Sequence, residues 1–382
     1  VRELPSATSD LSKMSLESYP DACSAFVGRT GQDNTAKPRG CRQLCHLGVV
    51  SMRRSRSMGQ TSLIPLVDLA GAFEPGPRRE EVVDAVRQAC QDIGFLVVTG
   101  HGVPDEAIRG IEAVSREFFS LRHEEKMLCV GGPGVFRGYT PAETTALALS
   151  RDAVTPPDLC EAFSINRFDD PEVALQSGLR EGREAFFAPN IWPQRPEGFR
   201  SAFEIYYAVM EDLANRLMGL MALALGLDEH WFDDKIRDHI TNLTVNYYSE
   251  LEQPEARGQL RRGEHTDWGS LSILHHDGEA GLQIKAPDGE WEHVPNVAQA
   301  LVINLGDLMA FWTNDRWKST YHRVVVPEDH SADRLSVVFF HQPAYDTLIE
   351  CIPTCTSPDD PPRHAPTTSG EWILSMLEKT TY

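Results

Sequence analysis

His265-Thr266-Asp267-Trp268-Gly269, followed by His322 55 residues after Asp267, decides the reading of this chain. Two imidazoles and one carboxylate make a three-donor face for a divalent ion. On an octahedral ion such a face leaves three positions open for other ligands. In an extended strand residues i and i+2 point to the same side, so His265 and Asp267 can converge on one point. The chain that follows is long enough for several strands to wrap round and deliver His322. A His-x-Asp pair alone says little in a chain with 13 histidines. Its surroundings give it meaning.

Arg334-Leu335-Ser336 lies 12 residues after His322 in a run that alternates like a strand. Arg334, Ser336 and Val338 share one face, and Leu335, Val337 and Phe339 the other. A guanidinium and a hydroxyl two residues apart on one face form a carboxylate clamp: the first is a two-pronged donor, the second adds a further contact.

Residues 246 to 346 resemble the isopenicillin N synthase-like branch of the iron(II)- and 2-oxoglutarate-dependent oxygenases. The matching segments are Asn246-Tyr247-Tyr248, His265 to Gly269, Gly281-Leu282-Gln283, Asn304-Leu305-Gly306-Asp307, the run from Thr313 through His322 to Val324, and Arg334-Leu335-Ser336. They fall in the family's order and at its spacing. The likeness reaches upstream to Ile64-Pro65-Leu66-Val67-Asp68, Gly94-Phe95 and His101-Gly102-Val103-Pro104. The first 60 residues have no counterpart.

This resemblance implies a mainly β fold with flanking helices, built on a double-stranded β-helix (a distorted jelly roll). It implies Fe(2+), 2-oxoglutarate as co-substrate, O2, and ascorbate as reductant. His265, Asp267 and His322 are expected as metal ligands and catalytic residues. Arg334, Ser336 and Tyr248 are expected on the distal carboxylate of 2-oxoglutarate, with Asn246 near its metal-chelating end. Ser249 departs from the family pattern, where many relatives carry proline; that touches loop shape more than chemistry. Phe136-Arg137-Gly138-Tyr139-Thr140 lies where relatives put substrate-facing residues, so Arg137 and Tyr139 are substrate candidates, with Phe163, Trp268 and Trp312. The expected activity is hydroxylation, desaturation or ring formation on a small molecule, in secondary metabolism. The alternative within the same fold is an iron-dependent oxidase of the isopenicillin N synthase or aminocyclopropane carboxylate oxidase type, in which the Arg-x-Ser pair would not hold 2-oxoglutarate. A zinc hydrolase would also use two His and one Asp, but no Glu or His is placed by a motif as its general base. A non-catalytic binding module would typically have lost a ligand.

Composition narrows the partners. A formal charge of −20 argues against nucleic acid or an anionic membrane surface, since both reward Lys and Arg. No apolar run approaches the roughly 20 residues that span a bilayer. Eight scattered cysteines lack the paired spacing of a zinc knot and read as reduced thiols. A monomer in the cytoplasm is expected.

Along the chain, residues 1–61 are rich in Ser, Gly, Arg and Thr without periodicity and read as a disordered or non-native extension. Residues 62–235 read as a helix and strand region, with helices over 79–92, 104–121 and 199–225, the last carrying apolar residues at helical spacing. From Asn242 the period becomes that of strands, punctuated by Asp277-Gly278, Pro287-Asp288-Gly289 and Asn314-Asp315, as in a jelly roll. Residues 236–346 are the expected oxygenase core, and 347–382 a tail with a helix.

Overall fold

A computed structural model of the chain describes residues 62–380, apart from 133, 170, 171, 173–182, 251–257 and 327–331. The expectation for residues 1–61 lies outside the described residues.

Twelve strands build two sheets: β1 Leu66–Asp68, β2 Phe95–Thr99, β3 Gly138–Thr140, β4 Glu161–Asn166, β5 Asn242–Tyr248 and β6 Arg262–His265, then β7 Leu271–His276, β8 Leu282–Lys285, β9 Trp291–His293, β10 Leu301–Leu305, β11 His322–Val324 and β12 Arg334–His341. The larger sheet runs β1-β2-β10-β7-β12-β5-β4-β3 and the smaller β6-β11-β8-β9. Together they form the expected jelly roll, with a cavity between them.

Alternation along the central strands separates the two faces. Leu243, Val245, Leu335, Val337 and Phe339 are fully buried on the side that carries the helices. Each such side chain removed from water contributes about 1.5–3 kcal/mol. Asn242, Thr244, Asn246 and Tyr248 of β5, and Arg334, Ser336, Val338 and Phe340 of β12, turn the other way and line the cavity. Helix Phe199–Ala224 covers the outer face; it buries Phe203, Tyr206, Met210, Leu213 and Leu217 at three- and four-residue spacing, and Tyr207 meets Phe339 edge-on at 5.1 Å. Helix Asp105–Phe119 packs beside it through Phe118, which touches Phe163 and Phe199.

Two strands are not legible in sequence. β3 and β4 come from the region read as mixed helix and strand, where neither was singled out, and they extend the large sheet beyond β5. Strands from both sides of residue 236 share the large sheet, and the described residues from 62 onward fall in one compact unit. Cys90, Cys129, Cys160, Cys351 and Cys355 are free thiols. Among the described residues no helix is long and apolar enough to cross a membrane.

Candidate active site

β11 lies antiparallel to β6 with His322 directly opposite His265. Their rings are 4.2 Å apart between centroids. Asp267 follows two residues after His265, where the chain leaves β6. One donor atom from each of the three lies within 4.8 Å of the others, and all three residues are buried. No other group of three or more such donors occurs among the described residues.

The protonation pattern suits a metal. Nδ1 of His265 meets Gly263 O at 2.8 Å, and Nδ1 of His322 meets Thr320 O at 3.1 Å. A carbonyl oxygen only accepts, so each Nδ1 carries the proton and each Nε2 keeps its lone pair. Both Nε2 atoms face Oδ1 of Asp267, at 3.7 and 3.5 Å. Oδ2 is already engaged: it accepts from Ser272 Oγ at 2.5 Å and Asn304 Nδ2 at 2.6 Å. Burial, reinforced by His322, pulls His265 down to about 3. Burial alone would raise Asp267, but His322, His265 and Ser272 outweigh it and hold the carboxyl below the usual carboxylate range. Burial likewise opposes the charged form of His322, yet the Asp267 carboxylate raises it overall.

Two glycines let this corner close. A Cβ on Gly306 would sit 2.3 Å from Gly269 O, and one on Gly269 would sit 2.5 Å from His341 O. The contact they permit ties Asp307 N to Asp267 O at 2.8 Å and Leu308 N to Gly269 O at 3.1 Å.

The triad opens into a cavity of about 700 Å³. At one end stand Arg334, Ser336 and Tyr248. Arg334 is 1% exposed, and among the described residues it makes one hydrogen bond, from Nε to Glu279 O at 3.4 Å. Asp333, its neighbour in the chain, and Asp277, which accepts from Leu335 N, are taken by Arg116 at 3.0 and 2.5 Å. Among the described residues Arg334 has no carboxylate partner, and its Nη1 and Ser336 Oγ are buried without one. A buried cation left unneutralised is costly. An anion in the cavity would satisfy both atoms, so the donor set fits a dicarboxylate whose other end reaches the triad. Burial raises Tyr248, so its hydroxyl stays a donor.

Sequence reading missed Arg262. It lines the same cavity, donates to Asn246 Oδ1 at 2.5 Å and lies 3.6 Å from Asp158. A regular pleat would put it on the face opposite His265. The pairing shifts between His322 and Val324, which stand opposite His265 and Arg262: three steps on β6 match two on β11. That extra residue is a β-bulge, and it re-aims the side chain.

The substrate candidates divide. Trp268 lines the cavity. Arg137 and Tyr139 border it, but their polar ends are largely committed elsewhere: Arg137 donates to Phe136 O and Phe186 O, leaving Nε without a partner, and Tyr139 donates to Glu161. Phe163 and Trp312 are not on the wall. Phe163 is packed in the core against Phe118, Phe199 and Phe203, because Tyr139 and Phe163 are cross-strand partners on the helix-facing side. Trp312 packs against Trp231 and Phe232. The sequence expectation that Phe163 and Trp312 face the substrate is therefore not met: neither ring lines the cavity.

Comparison with known proteins agrees with this geometry. Residues 64–195 match the N-terminal family of the non-haem dioxygenase in morphine synthesis, and residues 240–343 match the 2OG-Fe(II) oxygenase superfamily. A 2-oxoglutarate-Fe(II) type oxidoreductase of Emericella nidulans, hxnY, is 31% identical over 83% of this chain and 90% of its own length. Clavatol oxidase claD of Penicillium crustosum is 31% identical over 82% of this chain and 95% of its own. Among solved structures, a full-length Neurospora crassa protein in complex with alpha-KG (2-oxoglutarate) and thymine superposes with a TM-score of 0.71 at 28% identity, covering 82% of this chain and 96% of that one.

Proposed function

The chain belongs to the 2OG-Fe(II) oxygenase superfamily, and from that premise we propose a role for each residue of its cavity. It is an iron(II)- and 2-oxoglutarate-dependent oxygenase. His265 Nε2, His322 Nε2 and Asp267 Oδ1 hold the iron. Arg334, Ser336 and Tyr248 hold the distal carboxylate of 2-oxoglutarate. Asn246, fixed by Arg262, borders its metal-chelating end. The observation that carries this reading is the convergence of the three donors beside Arg334 Nη1 and Ser336 Oγ, which are buried without hydrogen-bond partners.

When bound, iron and 2-oxoglutarate supply the oxidising power: 2-oxoglutarate is cleaved to succinate and carbon dioxide as dioxygen is consumed and a substrate C–H bond is oxidised. The protein's own part is placement. Ser272 and Asn304 fix the Asp267 carboxylate so that one oxygen faces the metal. Gly263 and Thr320 carbonyls set the ring orientations of His265 and His322. Leu274, Leu282 and Val324 line the co-substrate end and keep water from it. The remaining cavity takes the primary substrate, a small molecule; the likeness to an oxidase named for clavatol supports one of secondary metabolism. One chain supplies all three donors and both walls, which supports a monomer as the working unit.

The test is release of labelled carbon dioxide from 2-oxoglutarate by protein loaded anaerobically with iron(II) and then given dioxygen. Wild type releases it, and His265→Ala, Asp267→Ala and His322→Ala do not. Equal release from wild type and all three variants would overturn the assignment.

A further inference from the structure

Resting on the site reading above, we propose that Asn242 and Gln342, with the indole N–H of Trp268, form the primary-substrate subsite, and that they recognise an uncharged amide-type edge such as an imide, lactam or carboxamide. Asn304, Ser272, Phe340 and Asn242 are successive partners across β10, β7, β12 and β5. The first two hold Asp267. Asn242 stands two strands beyond Ser272, about 10 Å away at the usual spacing of strands. Gln342 is two residues past Phe340, and its Cγ lies 3.0 Å from where a Cβ on Gly269 would be. It therefore sits against the loop that carries Asp267. Arg334 and Tyr248 lie at the opposite end of β12 and β5 from Phe340 and Asn242.

Asn242 Oδ1, Gln342 Oε1 and Trp268 Nε1 are buried without partners, and all three residues line the cavity. The atoms left without partners are thus two carboxamide oxygens, which accept, and one indole N–H, which donates. Ser164 and Thr244, on the same wall, already satisfy each other at 2.9 Å. Among the described residues no Glu or Lys lines the cavity and its one Asp is Asp267, already assigned to the metal; two of the three guanidinium nitrogens of Arg137 are held by Phe136 O and Phe186 O. Donor and acceptor atoms without charge match a neutral ligand that carries both. A carboxylate would find donors here but would leave the carboxamide oxygens unpaired, at the cost of buried polar atoms that lack a partner.

The test is calorimetric titration of iron(II)- and 2-oxoglutarate-loaded protein, without oxygen, using a fixed set of probes. Thymine, succinimide, 2-pyridone and benzamide carry the neutral edge; 1,3-dimethylthymine and N-methylsuccinimide lack its N–H; benzoate and phenylacetate carry charge instead. At least one neutral probe binds. N-methylation, Asn242→Ala and Gln342→Ala each weaken that binding by about tenfold or more. Affinity for 2-oxoglutarate in the variants stays within about twofold. Asn242→Asp, which keeps the shape and adds charge, also weakens the neutral probe and serves if Asn242→Ala does not fold. Silence from every neutral probe, tighter binding of the carboxylates, or unchanged binding in the variants overturns the subsite. Loading is read first by titration with 2-oxoglutarate: its failure counts against the iron and co-substrate assignment, and the same probes on the unloaded chain still decide the subsite.

Discussion

Asn304 reaches across from β10 to donate its Nδ2 hydrogen to Oδ2 of Asp267 at 2.6 Å. With Ser272 on the same oxygen, it leaves Oδ1 as the atom that looks toward both imidazoles. Replacing Asn304 by Leu removes that restraint without touching a ligand. Iron affinity is expected to fall about 10- to 100-fold, measured by competition with a chelator. Unchanged affinity would show that Ser272 alone fixes the carboxylate.

Arg334→Met separates stability from binding. The guanidinium is buried and has no carboxylate partner among the described residues, so its removal relieves a desolvated charge. The melting temperature of protein free of 2-oxoglutarate should hold or rise. Affinity for 2-oxoglutarate should fall about 100-fold or more, and its ability to raise the melting temperature should vanish. Ser336→Ala should cost about tenfold in affinity. A variant that binds 2-oxoglutarate like wild type would remove Arg334 from the clamp.

Gly306→Ala should damage the site from a distance. Its new methyl would meet Gly269 O at 2.3 Å, and both neighbours are backbone that cannot swing away. A loss of about 2 kcal/mol or more in stability is expected, with weaker iron binding, because the same contact carries the Asp307 N to Asp267 O bond. Urea denaturation of the metal-free protein measures it; a midpoint equal to wild type would mean the loop shifts at no cost.

Acid should weaken the metal-free fold between pH 6.5 and 4. In the folded chain burial, followed by His322, holds His265 down to about 3, and burial, followed by Arg334, holds His276 down to about 4. Unfolded histidine takes up its proton near 6.5. The unfolded state then binds more protons across this window, so stability rises with pH there and falls on acidification. His322 acts in the other direction: raised by Asp267, its contribution is present below 6.5 and is lost as pH climbs through its folded value. His239 and His341 are also held down, first by burial, so the lowered histidines outnumber the raised one and acidification costs stability overall. Thermal melts across this range should show a falling midpoint, and a flat or rising one would contradict the burial of these rings.

Much of this is legible in sequence because strand periodicity is strict where one face is buried. The inward set Arg334, Ser336, Val338 on β12 follows directly from alternation, and the convergence of His265, Asp267 and His322 from their motif. The helix Phe199–Ala224 announces itself by its apolar stripe. β3 and β4 do not, since three and six residues between long loops carry too little pattern. Arg262 is hidden by a bulge, which breaks the parity on which facing is inferred. Phe163 and Trp312 are misplaced by sequence reading because an aromatic ring is equally at home in a core, and only the fold tells the two apart. Asn242 and Gln342 belong to no motif; their significance lies in being buried beside open space, which no one-dimensional pattern records.

The pairing of His265 with His322 has a kinetic consequence. The two residues stand 57 positions apart in the chain and meet only after a long loop has closed. Such non-local pairing forms late and slowly. An ion shared by both strands staples a contact that the folding barrier has already passed, so it should prolong the life of the native state far more than it hastens its formation. Protein made in an iron-starved cell would reach the same fold but leave it sooner, exposed to proteases at each opening. Its steady-state amount, and not only its turnover, would then follow the iron supply.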